Sequence, residues 1–152
     1  MDVEELIARE SIRDLVARYN STADSGRFDE TLALFAPDAV LELPHERHEG
    51  RDAIRGLFEG VRSSVGAAAG DKPRFLRHCT ATLQIDLTSP TTARSRCYFF
   101  VLTADGLDHW GRYIDEMAVV DGEWRFTRRR ALTDARVEGG LGSAALRDQQ
   151  SH

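Results

Sequence analysis

The stretch that decides the fold runs RFLRHCTATLQIDL at 74–87, TTARSRCYFFVLTA at 91–104, DHWGRYIDEMAVV at 108–120 and EWRFTRRRALTD at 123–134. Here the apolar pattern takes a period of two, the mark of strands with one face buried. Ser89-Pro90, Asp105-Gly106 and Asp121-Gly122 separate the segments, and such pairs form tight turns because Pro presets φ and Gly accepts positive φ. Four long antiparallel strands are therefore predicted.

Upstream the period changes to three and four. Leu6, Ile7, Ile12, Leu15, Val16, Tyr19 and Ala23 mark a helix over 3–23 with one buried stripe, stopped by Ser25-Gly26. A short helix from about Phe28 to Phe35 turns Leu32 inward, and Ala36-Pro37-Asp38 breaks it before a first strand, Ala39 to Leu43. After Gly50-Arg51-Asp52, the residues Ala53, Ile54, Leu57, Phe58 and Val61 make a third amphipathic helix, and Ser63 to Lys72 reads as a small, polar, mobile connection. Helices first and a meander afterwards give an α+β architecture. A curved, mainly antiparallel sheet should form a cone-shaped barrel around about three helices and leave a cavity inside. One domain is expected over 1–135, with 136–152 a tail that wraps back or stays disordered.

The chain has 152 residues, 41% of them hydrophobic, enough for one buried core. A net charge of −5, with most Arg close in sequence to Asp or Glu, offers no basic face for nucleic acid. No apolar run approaches the roughly 20 residues that cross a bilayer, so a soluble, cytoplasmic protein without membrane partners is expected. Cys79 and Cys97 both lie in strand segments and read as reduced, semi-buried packing residues. His45 and His48, in a segment that reads as loop, read as solvated histidines rather than metal ligands, and no cofactor is implied.

The order of elements resembles the SnoaL-like polyketide cyclases of the nuclear transport factor 2-like superfamily, whose relatives include ketosteroid isomerase, scytalone dehydratase, bile acid 7α-dehydratase and lindane dehydrochlorinase. The resemblance covers about residues 4 to 134. It rests on Arg18-Tyr19, the run from Asp24-Ser25-Gly26 to Leu34-Phe35-Ala36-Pro37-Asp38-Ala39, Arg77-His78, Gly111-Arg112-Tyr113-Ile114-Asp115 and Asp121-Gly122-Glu123-Trp124-Arg125-Phe126. It implies that Asp24 orients and charges His78, which removes a proton next to a leaving group. It also implies that Tyr19 donates its hydroxyl to a substrate oxygen, that Asp115 serves as an acid or hydrogen-bond donor, and that Arg129 holds an anionic group. The carboxylate that shuttles protons in ketosteroid isomerase falls on Leu43, which transfers none. Plain ketosteroid isomerase activity is therefore not expected.

The residue types suit this chemistry. Neutral imidazole, with a pKa near 6.5, is a usable base at pH 7, and a carboxylate fixes its tautomer and stabilises the imidazolium. Read without the resemblance, Asp24 closes a helix, His78 ends a strand, Tyr19 is a core phenol, Asp115 pairs with an Arg, and Arg129 lies on the surface. An undisturbed helix would set Asp24 about 140° round the axis from Tyr19, so the helix must bend or end nearby. Strict alternation puts His78 with Thr80, Thr82, Gln84 and Asp86, opposite Cys79, Ala81, Leu83, Ile85 and Leu87. Tyr98 and Tyr113, with Phe100 and Trp110, are candidate pocket aromatics for a planar or polycyclic guest. His109, on one side with Tyr113 and Asp115, is a reserve base or a rim residue. Three functions are open: a cofactor-free lyase or isomerase on a small, hydrophobic substrate, a non-catalytic binding protein, and a hydrolase for which Asp115 and Arg129 fit only in part. A homodimer through the uncovered sheet face is expected.

Overall fold

The computed structural model describes residues 1–68, 70–73 and 75–141. Helix α1 (Val3–Asp24) starts on Asp2, whose carboxylate accepts the Glu5 N–H at 2.8 Å, with Glu4 and Glu5 at the positive end of the dipole. It ends at Asp24, where Gly26 takes φ +71° and returns its N–H to the Ala23 carbonyl. Helix α2 (Phe28–Ala33) follows, then β1 (Phe35–Leu43), β2 (Glu46–Glu49), α3 (Gly50–Ala68), β3 (Arg77–Ser89), β4 (Thr92–Thr103), β5 (Gly106–Val120) and β6 (Glu123–Arg136).

The strands form one sheet in the order β2-β1-β6-β5-β4-β3. Only β1 and β6 run parallel; the other neighbours are antiparallel. The sheet curves without closing, so β2 and β3 are its edges. On the concave side, α1 packs against β3 and α3 against β1. Ile12, Val16, Tyr19, Phe35, Leu41, Ile54, Val101, Met117 and Phe126 are buried between them. No described helix is long and apolar enough to cross a membrane.

Three boundaries depart from expectation. Strand β2 carries no apolar face; it exists because Val40 to Leu43 of β1 offer an edge, and the Arg47 guanidinium reaches Glu42 at 2.7 Å. Strand β1 begins four residues early, and Pro37 sits where the β1–β6 register slips between Phe35 and Val40, a place that tolerates a missing N–H. Helix α3 continues through Ser63 and Ser64 to Ala68 in place of the expected loop, because small residues extend a helix already seeded by Ile54, Leu57 and Phe58. The expected tail is described only to Leu141; residues 142–152 lie outside the described residues.

Two β-bulges shape the mouth of the cone. Ala81 pairs with Tyr98 but Gln84 with Arg96, so three steps along β3 match two along β4, and Thr82 takes φ +54°. This extra residue reverses the facing of everything after it. His78 stands opposite buried Val101 and Ile85 opposite buried Ser95, so both point into the cone, where strict alternation had set them on opposite faces. In β5, His109 pairs with Val101 and Leu107 with Leu102, leaving Asp108 as the extra residue. Close by, a Cβ on Gly111 would lie 1.9 Å from the Leu132 carbonyl oxygen, so only glycine permits this approach of β5 to β6.

Candidate active site

The end of α1 meets the start of β3 at the mouth. Asp24 Oδ2 accepts the His78 backbone N–H at 2.8 Å and its Oδ1 lies 2.7 Å from His78 Nδ1. A carboxylate can only accept, so Nδ1 carries a proton, and in the neutral ring Nε2 is left with a lone pair. The Asp24 side chain is 9% exposed and that of His78 22%, enough for a small molecule to reach the ring.

His78, Val101 and His109 form one row across β3, β4 and β5. His109 Nδ1 lies 2.7 Å from Asp108 Oδ2, and the two imidazole centroids are 6.5 Å apart with their planes nearly perpendicular. Phe99 lies beneath both, 6.3 Å from the His78 ring and 6.0 Å from the His109 ring, and stacks on Tyr113 at 4.5 Å.

Deeper in the cone the groups are sealed. Arg129 donates from Nε and Nη2 to the two Asp115 oxygens at 2.8 Å each, and Ser95 Oγ donates to Asp115 at 3.2 Å. Both members of this pair are 0% exposed. The guanidinium carbon sits 4.1 Å from the ring centres of Tyr19 and of Tyr113 and 4.3 Å from that of Phe126, while Nη1 has no hydrogen-bond partner among the described residues. Three aromatic faces thus share the positive charge. Burial is the largest single influence on Arg129 and opposes its charge, but the Asp115 charge and its hydrogen bonds, with Tyr19 and Tyr113, together prevail and hold the guanidinium protonated. Burial also pushes the phenols of Tyr19 and Tyr113 up, and the Tyr113 hydroxyl donates to Asn20 at 3.4 Å.

This arrangement corrects several sequence expectations. Every hydrogen-bonding group found on Asp115 is a donor, so a protonated Asp115 acting as acid does not fit its surroundings. Tyr19 and Asp115 are both buried, with the Arg129 guanidinium paired to Asp115 and packed on the Tyr19 and Tyr113 rings. Tyr98 is 58% exposed on the opposite face of the sheet, because β4 turns Cys97 and Phe99 inward and Tyr98 must then point out. Phe100 and Trp110, paired across the strands, share that outer side. Cys79 and Cys97 are free thiols; Cys97 is buried, and burial pushes it up to about 11.

A groove of about 380 Å³ is bounded by Asp108 together with Val65, Phe75, Leu107, Val137 and Leu141, among others. A family model described as a SnoaL-like domain matches residues 4–130. The chain belongs to the SnoaL-like domain family.

Solved structures agree with that membership. A putative scytalone dehydratase from Novosphingobium aromaticivorans is 26% identical, with 92% of this chain and 95% of that one covered and a TM-score of 0.73. The hexachlorocyclohexane dehydrochlorinase LinA-type3 of Novosphingobium barchaimii is similar in fold at 17% identity, covering 91% and 96% with a TM-score of 0.74. A protein of unknown function from Mycobacterium tuberculosis is 26% identical over 90% of this chain and 78% of that one, with a TM-score of 0.73. No curated protein matches the chain. In this SnoaL-like domain Asp108 is not legible from the residues alone, because adjacent strand residues ordinarily point to opposite faces and only the bulge brings Asp108 and His109 together. Phe99 was hidden among other strand aromatics.

Proposed function

We propose that this SnoaL-like domain is a cofactor-free lyase or isomerase of the dehydratase or cyclase type, in which His78, held by Asp24, removes a proton from carbon. The observation that carries this is the 2.7 Å contact between His78 Nδ1 and Asp24 Oδ1, which leaves Nε2 free at a part-exposed mouth. A neutral ring so held is a base near pH 7, and the carboxylate stabilises the imidazolium that forms. The family and the dehydratase and dehydrochlorinase neighbours support the reading, since those names describe eliminations. The substrate is a small, mostly apolar polyketide-, steroid- or aromatic-like molecule. Tyr113 supports the Phe99 floor under it, and Tyr19 and the Asp115–Arg129 pair keep the base of the cone closed below. The protein works as a cytoplasmic homodimer that covers Tyr98, Phe100 and Ile114 on the outer face.

A β-hydroxy aryl ketone tests the chemistry, with conjugated enone followed by ultraviolet absorbance and solvent deuterium at the carbon adjacent to the carbonyl by mass spectrometry. His78→Ala should lose roughly 10²- to 10⁴-fold of the rate and Asp24→Asn a large part of it. Binding of the ketone without exchange or elimination would instead make the domain a carrier.

A further inference from the structure

An elimination that expels hydroxide is eased by an acid at the leaving oxygen, and the mouth holds a second imidazole that the first dyad does not use. His109 repeats the arrangement of His78: its Nδ1 is held at 2.7 Å by a carboxylate, here Asp108, which is 4% exposed. Among the described residues neither imidazole has a hydrogen-bond partner at Nε2. The two rings share the Phe99 floor at 6.5 Å centre to centre. That spacing suits a two-carbon unit lying across both rings, with each nitrogen at a hydrogen-bond reach of roughly 3 Å.

The chain invests in the second pair. Asp108 is the extra residue of the β5 bulge, and its Oδ1 accepts the Leu141 N–H at 2.6 Å, while its carbonyl accepts the Val137 N–H at 2.8 Å. Residues 137–141 thus strap the carboxylate from outside the sheet. Gly140 lies so close that a Cβ there would sit 3.0 Å from Asp108 Oδ1. The same strap forms one wall of the 380 Å³ groove, which borders Asp108.

We propose that His109 is a second catalytic residue, the general acid that protonates the leaving oxygen of a substrate lying on Phe99 between the two rings. This assignment rests on the proton-abstraction reading above. His78 Nε2 takes the proton from carbon, and the C–H electron pair becomes the new C=C bond. The neighbouring C–O bond breaks with its pair on oxygen, the protonated His109 ring delivers its Nε2 proton there, and water departs. His78 ends as imidazolium and His109 neutral, and exchange with solvent restores both. Gly140 is a positioning residue that acts through Asp108.

Two ketones separate the roles, one with a β-hydroxyl and one with a β-para-nitrophenoxy group, which leaves as an anion without a proton. His109→Gln should slow the hydroxy ketone by roughly 10²- to 10⁴-fold and leave nitrophenolate release within about threefold of wild type. His78→Gln should slow both. Gly140→Ala, which pushes on Asp108 without removing any proton-transfer group, should lower kcat for the hydroxy ketone alone. Equal loss on both ketones in His109→Gln, or no loss on either, overturns the acid role while leaving His78 as base. If His109→Gln abolishes both and His78→Gln neither, the base is His109 and the assignment is wrong. If wild type turns over neither ketone, proton abstraction itself falls and the acid role with it.

Discussion

The mouth and the base of the cone use the same kind of partner in opposite ways. At the mouth, Asp24 and Asp108 each hold one nitrogen of an imidazole and leave the other toward solvent. At the base, Asp115 takes two guanidinium hydrogen bonds and a serine hydroxyl, and three rings cover what remains of Arg129. Exposure separates the two, with 22% for the His78 side chain and 0% for that of Arg129. A charge pair serves chemistry where one member keeps a free valence within reach of a ligand, and serves architecture where both are paired with each other, buried and dry.

The sharpest test is to open the base. Arg129→Met leaves Asp115 buried without its cation and should cost about 3–5 kcal/mol of stability in urea unfolding. Adding Asp115→Leu should restore most of it, because two apolar side chains fill the volume without an unpaired charge. A single variant as stable as wild type would mean that the base is wetter than its packing implies, and the contrast would fail.

At the mouth the expected stability effect is smaller. Asp24→Asn retains an acceptor for His78, so unfolding should shift by no more than about 1.5 kcal/mol while turnover drops far more. A loss of stability rivalling that of Arg129→Met would make the mouth pair structural as well. The smallest effect concerns reactivity. Burial holds the Cys97 thiol neutral, at about 11, so alkylation at pH 8 should modify half-buried Cys79 first and reach Cys97 only through unfolding. Equal labelling rates in peptide mass spectrometry would show that the base opens readily.

Much of this contrast was legible in the residues. The stripe of α1, the three turns of the meander, and the meeting of Asp24 with His78 follow from period, turn chemistry and family likeness. What escaped depended on pairing partners and packing that no local pattern announces. Alternation counted from Cys79 set His78 away from Ile85, because nothing in Ala81-Thr82-Leu83 announces an extra residue. Tyr98 was assigned to the pocket on aromatic character alone, whereas buried Cys97 and Phe99 decide its direction. Strand β2, Glu46-Arg47-His48-Glu49, has no apolar residue from which a period could be read; pairing with β1 makes it a strand. Arg129 stands in a run of three arginines, and only the fold shows which one lies inside.

The bulge at Thr82 also bears on how such domains diverge. Everything before it on β3 is phased by Asp24, and everything after it by the core through Ile85. Removing Thr82 would join the two phases, so that either the imidazole or the aliphatic half of the strand must face outward. Composition and hydropathy would barely change. In comparing relatives, a single gap at 81–83 therefore weighs more than many substitutions, because it can separate descendants that keep the chemistry from descendants that keep only the shape.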